Sequence, residues 1–159
     1  MRIFADGKAV KLGLVINPMA GIGGAVGLKG SDGNDIVAQA LDRGAQPHAQ
    51  ERALAALRQF RDLAPEPVYT AAGSMGSDVL SEAGIQSEVV YTPEHDATTA
   101  VDTENAVMSL CENAIDLLLF AGGDGTARDV LNALRRQGWE SKLTVIGIPA
   151  AAKVMTPPL

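Results

Sequence analysis

Short apolar, β-branched runs alternate along this chain with segments of helical periodicity, and that alternation restricts the fold more than any other feature. Leu12 to Ile16 reads LGLVI, apolar on both faces, as a strand buried between two layers must be. Ala49 to Leu63 follows as a helix, with Ala53, Leu54, Leu57, Phe60 and Ala64 on one stripe and Arg52, Arg58 and Arg61 facing water. Pro65 and Pro67 end it. Val68 to Ala71 is the second strand, and Ser77 to Ala83 a helix closed by Gly84. Glu88 to Tyr91 is the third strand. Thr99 to Asn113 is a long helix with Ala100, Val101, Val107, Met108, Cys111 and Ala114 as its stripe. Leu117 to Ala121 is the fourth strand, Asp124 to Gln137 a helix turning Val130, Leu131 and Leu134 inward, and Thr144 to Gly147 the fifth strand. Strand, helix and strand in repetition predict an α/β fold: an open, mostly parallel sheet of about five strands with helices on both faces. Asn17 to Asp35 is the exception, a glycine-rich segment longer than a simple connector.

Composition narrows the function classes. A length of 159 residues suits one domain, and 47% hydrophobic with 20% charged residues is a globular balance. The net charge of −6 leaves no broad basic face, which argues against nucleic acid as a partner. One cysteine, Cys111, builds no disulfide framework, and with His48 and His95 it cannot fill a zinc site. The opening MRIFADGKAV lacks the apolar core of a secretion signal, and the longest apolar stretch, Ile115 to Ala121, is too short to span a bilayer. The expectation is a cytoplasmic protein with no membrane partner and with Cys111 as a buried apolar residue.

The strongest chemical signal is LLLFAGGDGTARDVLNAL, a buried strand that runs through Gly122-Gly123-Asp124-Gly125-Thr126 straight into a helix. Glycines allow positive φ and remove Cβ atoms that would block a ligand. The helix start offers unpaired N–H groups and the positive end of its dipole, an anion site. Thr126 can cap the helix or donate to a phosphate oxygen. Asp124 is informative, because a carboxylate beside phosphates is repelled unless a metal bridges them or it takes a proton from an attacking hydroxyl. Both roles belong to phosphoryl transfer with a magnesium-bound nucleotide. The plainer alternative is that Asp124 caps the helix and the glycines form a tight turn.

The second signal is VINPMAGIGGAVGLKGSDG, in which Asn17 and Pro18 leave the strand and Gly21, Gly23, Gly24 and Gly27 shape the loop. It is neither a Walker loop nor GxGxxG, since Val26 holds the third glycine position. Lys29 reads as a solvated loop lysine. Ligands of open parallel sheets bind at the carboxyl ends of strands where the order reverses, so adjacency of the first and fourth strands would place both glycine loops on one crevice. AAGSMG imitates a nucleophile elbow, but Ala72 stands where its first glycine belongs, and Ser74 or Ser77 reads as a helix cap. Thr98 and Thr99, with Asp102 and Thr103, read as capping residues of the long helix.

Taken in order, GLVINPMAGIGGAVGLKGSDG, AAGSMG, TTAVDT, FAGGDGTARDV and VIGIPA resemble the ATP–NAD kinase family, nearest the branch with the acetoin-catabolism X proteins. Diacylglycerol and sphingosine kinases carry a motif similar to GGDGT, and phosphofructokinases a relative of it. The resemblance implies transfer of the ATP γ-phosphoryl group to the 2′-hydroxyl of NAD, with Mg²⁺. It implies Asp124 at the reacting hydroxyl and phosphates held by Gly122, Gly123, Gly125 and Thr126. Asn17 with Gly21, Gly23 and Gly24 would line the nucleotide side. No side-chain metal ligand set is implied, and ATP or polyphosphate would suit the same loops. Family members are commonly oligomers, which makes a homo-oligomer an expectation. They also carry a β-rich C-terminal domain, whereas residues 1–159 read as the nucleotide-binding domain alone, with Ala151 and Ala152 where the family has Gly-Val. Two other readings stand beside this one: a nucleotide-binding module without catalysis, and a lipid or sugar kinase sharing GGDGT.

Overall fold

The computed structural model describes residues 4–5, 8–20 and 47–150. A small antiparallel pair, β1 (Phe4–Ala5) and β2 (Lys8–Ala9), precedes the main sheet. The sheet contains β3 (Leu12–Ile16), β4 (Val68–Ala71), β5 (Ser87–Tyr91), β6 (Leu117–Gly122) and β7 (Thr144–Pro149), all parallel, in the order β5-β4-β3-β6-β7. Between them run α1 (Ala49–Phe60), α2 (Ser77–Glu82), α3 (Ala100–Glu112) and α4 (Asp124–Arg136). The expected α/β fold is therefore present. β3 lies at the centre with all five residues buried, as its two apolar faces require.

The order reverses between β3 and β6. From β3 the chain steps outward to β4 and β5, then returns through α3 to lay β6 on the other side of β3. One core cluster joins Leu12, Leu14 and Ile16 to Leu57 of α1 and Leu80 of α2. The other joins Val15 and Leu118 to Val107 and Leu110 of α3 and Val130 and Leu134 of α4. Thus α1 and α2 cover one face of the sheet and α3 and α4 the other. The carboxyl ends of all five strands share one edge.

Two helix stripes differ from expectation. In α3 the buried residues are Thr103, Ala106, Val107, Leu110 and Cys111, while Ala100 is exposed and Val101 is 63% exposed. Helical phase overrides polarity here: Thr103 lies one turn before the core residues Ala106 and Val107, and Val101 does not. Ala114 lies beyond the helix with φ 54°, exposed, in the left-handed position that usually terminates a helix with glycine. In α4, Leu131 is 38% exposed, because Thr126, Val130, Ala133 and Leu134 define the inward stripe. Cys111 is buried as expected, and burial together with the nearby Glu112 charge pushes its thiol up to about 11.

Candidate functional site at the switch point

The β3–β6 adjacency brings the carboxyl ends of these two strands together. Their register runs Leu12 to Leu117 through Ile16 to Ala121, and one step further the Asn17 N–H donates to the Ala121 carbonyl (3.0 Å). The two glycine motifs therefore leave the sheet side by side, at the reversal where open α/β sheets hold ligands. Of the first motif the structure places Asn17, Pro18, Met19 and Ala20; Gly21, Gly23, Gly24 and Lys29 lie outside the described residues.

Gly122 ends β6, Gly123 is the N-cap of α4, and Asp124, Gly125 and Thr126 form its first turn. Neither Gly122 nor Gly123 has positive φ, contrary to the conformational reason inferred from sequence. Gly122 is required for space: a Cβ there would overlap the Thr126 side chain. Gly123, with φ −105° and ψ −159°, has nothing within 4 Å of a Cβ position among the described residues. The first is a packing glycine and the second leaves room for something else.

The N-cap of α4 is Gly123, which has no side chain to bond the first turn. Its first helical bond runs from the Ala127 N–H to the Gly123 carbonyl (3.0 Å), leaving the N–H groups of Asp124, Gly125 and Thr126 without intrahelical acceptors. They combine with the helix dipole to favour an anion. Asp124 is exposed in this first turn, directly after the N-cap residue Gly123. Thr126 is 2% exposed, and its Oγ1 accepts a hydrogen bond from the Asn17 Nδ2 (3.0 Å).

The end of β7 contributes a third wall, since the Ala150 N–H donates to the Gly122 carbonyl (3.2 Å). The sequence reading did not include this contact, which is made by backbone atoms. On the β5 side, Asp102 reaches back to the Thr99 N–H (2.8 Å) and completes the expected capping arrangement of α3. Asp102 also accepts the Tyr91 hydroxyl (2.7 Å); burial and this bond raise the tyrosine above its ordinary value.

Among the described residues no group of three or more His, Cys, Asp or Glu could hold a metal. A nucleotide-bound Mg²⁺ needs less, because it is held through one or two carboxylates together with substrate phosphates and water. The exposed Asp124 carboxylate in the first turn of α4 fits that donor pattern. No helix among the described residues is long and apolar enough to cross a membrane.

A family model described as the ATP-NAD kinase N-terminal domain matches residues 12–157. No curated protein and no solved structure matches the chain. The matched span includes every strand of the main sheet and both sides of the switch point. The chain belongs to the ATP-NAD kinase N-terminal domain family.

Proposed function

We propose that the chain carries the nucleotide site of a kinase that transfers the ATP γ-phosphoryl group to the 2′-hydroxyl of NAD, forming NADP. The observation that carries this reading is the glycine-led start of α4 at the switch point, where among the described residues nothing lies within 4 Å of a Cβ position at Gly123 and Asp124 is exposed in the first turn. Family membership supports a kinase-type function. Gly122, Gly123 and Gly125 shape the backbone around the phosphates, and the N–H groups of the first turn neutralise their charge. Asp124 takes the proton of the attacking hydroxyl or organises the phosphates and metal. Mg²⁺, when bound with the nucleotide, supplies charge neutralisation at the transferring group.

In this reading residues 1–159 are the nucleotide-binding domain, and a β-rich partner domain completes the NAD side. The order of the motifs favours the acetoin-catabolism branch. A second reading, nucleotide binding without turnover, follows from the same geometry, because the first turn of α4 supplies phosphate contacts whether or not the acceptor hydroxyl is held.

The test is NADP formation from NAD and Mg-ATP, with Asp124→Asn for comparison. Loss of a general base lowers turnover by about 10²–10⁴-fold. Turnover retained in the variant removes Asp124 from the mechanism. Mg-ATP binding without product selects the second reading.

A further inference from the structure

Asn17 and Thr126 are 109 positions apart in sequence, yet each is committed to the other. Besides the Asn17 Nδ2 to Thr126 Oγ1 bond, the Asn17 Oδ1 accepts the Met19 N–H (3.2 Å), and the Asn17 carbonyl accepts the Ala20 N–H (3.1 Å). Its own N–H is held by Ala121. One N–H of the side-chain amide, its oxygen and both backbone groups are thus engaged in the protein. Asn17 is half-buried, whereas Thr126 is enclosed, at 2% exposure, with its side chain packed against the bare face of Gly122.

We infer that Asn17 and Thr126 form a clamp that positions the first turn of α4 against the loop leaving β3, acting on the phosphates through the backbone and not by direct contact. The two strands already share a ladder, but that ladder fixes only the strands. The Asn17–Thr126 bond is what carries the registration past the end of β6 and into the helix. The Cβ-free Gly122 is needed for the same reason, since Thr126 must lie flat against it to meet Asn17. A misplaced helix start would carry the N–H groups of Asp124, Gly125 and Thr126 away from a common focus. Asn17 and Thr126 are on this view positioning residues.

The inference rests on the nucleotide reading of this site, and the test separates the two. Mg-ATP affinity is measured for the 159-residue chain and for Asn17→Ala, Thr126→Val, the double variant and Thr126→Ser. Backbone hydrogen exchange at Ala127 to Val130 is followed without ligand. A clamp predicts about tenfold weaker binding in each single variant, no further loss in the double, and faster exchange at those amides in both. Thr126→Ser, which keeps the acceptor oxygen, binds nearly as the parent does. Two independent phosphate contacts would instead multiply to about a hundredfold loss and leave ligand-free exchange unchanged, which overturns the clamp. If Asn17→Ala fails to fold, the Thr126→Val and Thr126→Ser pair decides through exchange alone. A folded parent chain that ignores Mg-ATP overturns the nucleotide reading, whereas a parent that binds but shows multiplicative losses overturns only the clamp.

Discussion

Two strands of this sheet, β4 and β6, each run into a glycine-rich turn and then a helix at the same edge, yet the turns have opposite character. After β4, the Gly73 N–H donates to the Ser77 Oγ (2.7 Å) and Gln50 Nε2 donates to the Ser74 carbonyl (3.2 Å). Gly76 lies against the Thr70 hydroxyl, which itself donates to the Leu14 carbonyl (2.8 Å). Met75 is fully buried, and the helix that follows has six residues. The turn after β6 opens a thirteen-residue helix, and among the described residues nothing lies within 4 Å of a Cβ position at its N-cap Gly123, as at Gly73, but without the positive φ that Gly73 has. Glycine content alone does not mark a ligand site. The β4 turn spends its polar groups on itself, while the first helical bond of α4 starts only at the Ala127 N–H, which donates to the Gly123 carbonyl.

The comparison can be broken most forcefully at Gly122. Gly122→Ala forces a Cβ into Thr126, and overpacking of this kind costs about 1–3 kcal/mol, read as a lower melting temperature and weaker Mg-ATP binding. The informative contrast is between Gly123 and Gly73. Gly123→Ala should stay within about 1 kcal/mol of the parent, because the poorer N-cap is offset by a less flexible unfolded chain. It should nonetheless bind Mg-ATP about tenfold more weakly, since a methyl group displaces phosphate from the backbone N–H groups. Gly73→Ala should do the reverse: its φ of 64° makes alanine cost about 1 kcal/mol, with nucleotide affinity unchanged in a titration. Ser77→Ala sharpens the same point with a loss of about 1 kcal/mol in denaturant unfolding and no change in affinity.

The smallest effect concerns a residue outside both turns. The Cys111 thiol is raised from 9.0 to about 11, first by burial and then by Glu112. The unfolded chain loses that proton at lower pH than the folded one, so the folded state binds more protons between these values. Stability from this group is therefore complete below about pH 9 and lost as pH rises toward 11. Cys111→Ala should flatten that alkaline decline in urea titrations. Its nucleotide response should match the parent's.

Much of the fold is legible from local pattern. LGLVI, VYTA and LLLFA become β3, β4 and the body of β6 because apolar runs between breakers have one plausible use in an alternating chain. The β1–β2 pair escapes notice, since two residues per strand are too few for a period. Val101 and Thr103 mislead because side-chain polarity is a weaker guide than phase. At the site, the motif signals the place but not the division of labour. Gly122 and Gly123 are identical letters, and only the position of Thr126 separates a packing role from an opening. The partner of Asn17 lies 109 residues away, beyond the reach of any local spacing.

The central claim is that the start of α4, and not the β4 turn, holds nucleotide phosphate. It is tested most directly by melting the parent chain, Gly123→Ala and Gly73→Ala with and without Mg-ATP. Nucleotide at a hundred times its Kd stabilises a folded chain by about 2.7 kcal/mol, which for a domain of this size raises the melting temperature by about 5–10 °C. That shift is expected for the parent and for Gly73→Ala from its lower starting point, with a clearly smaller shift for Gly123→Ala at the same concentration. No shift in the parent, or equal shifts in all three, would contradict it.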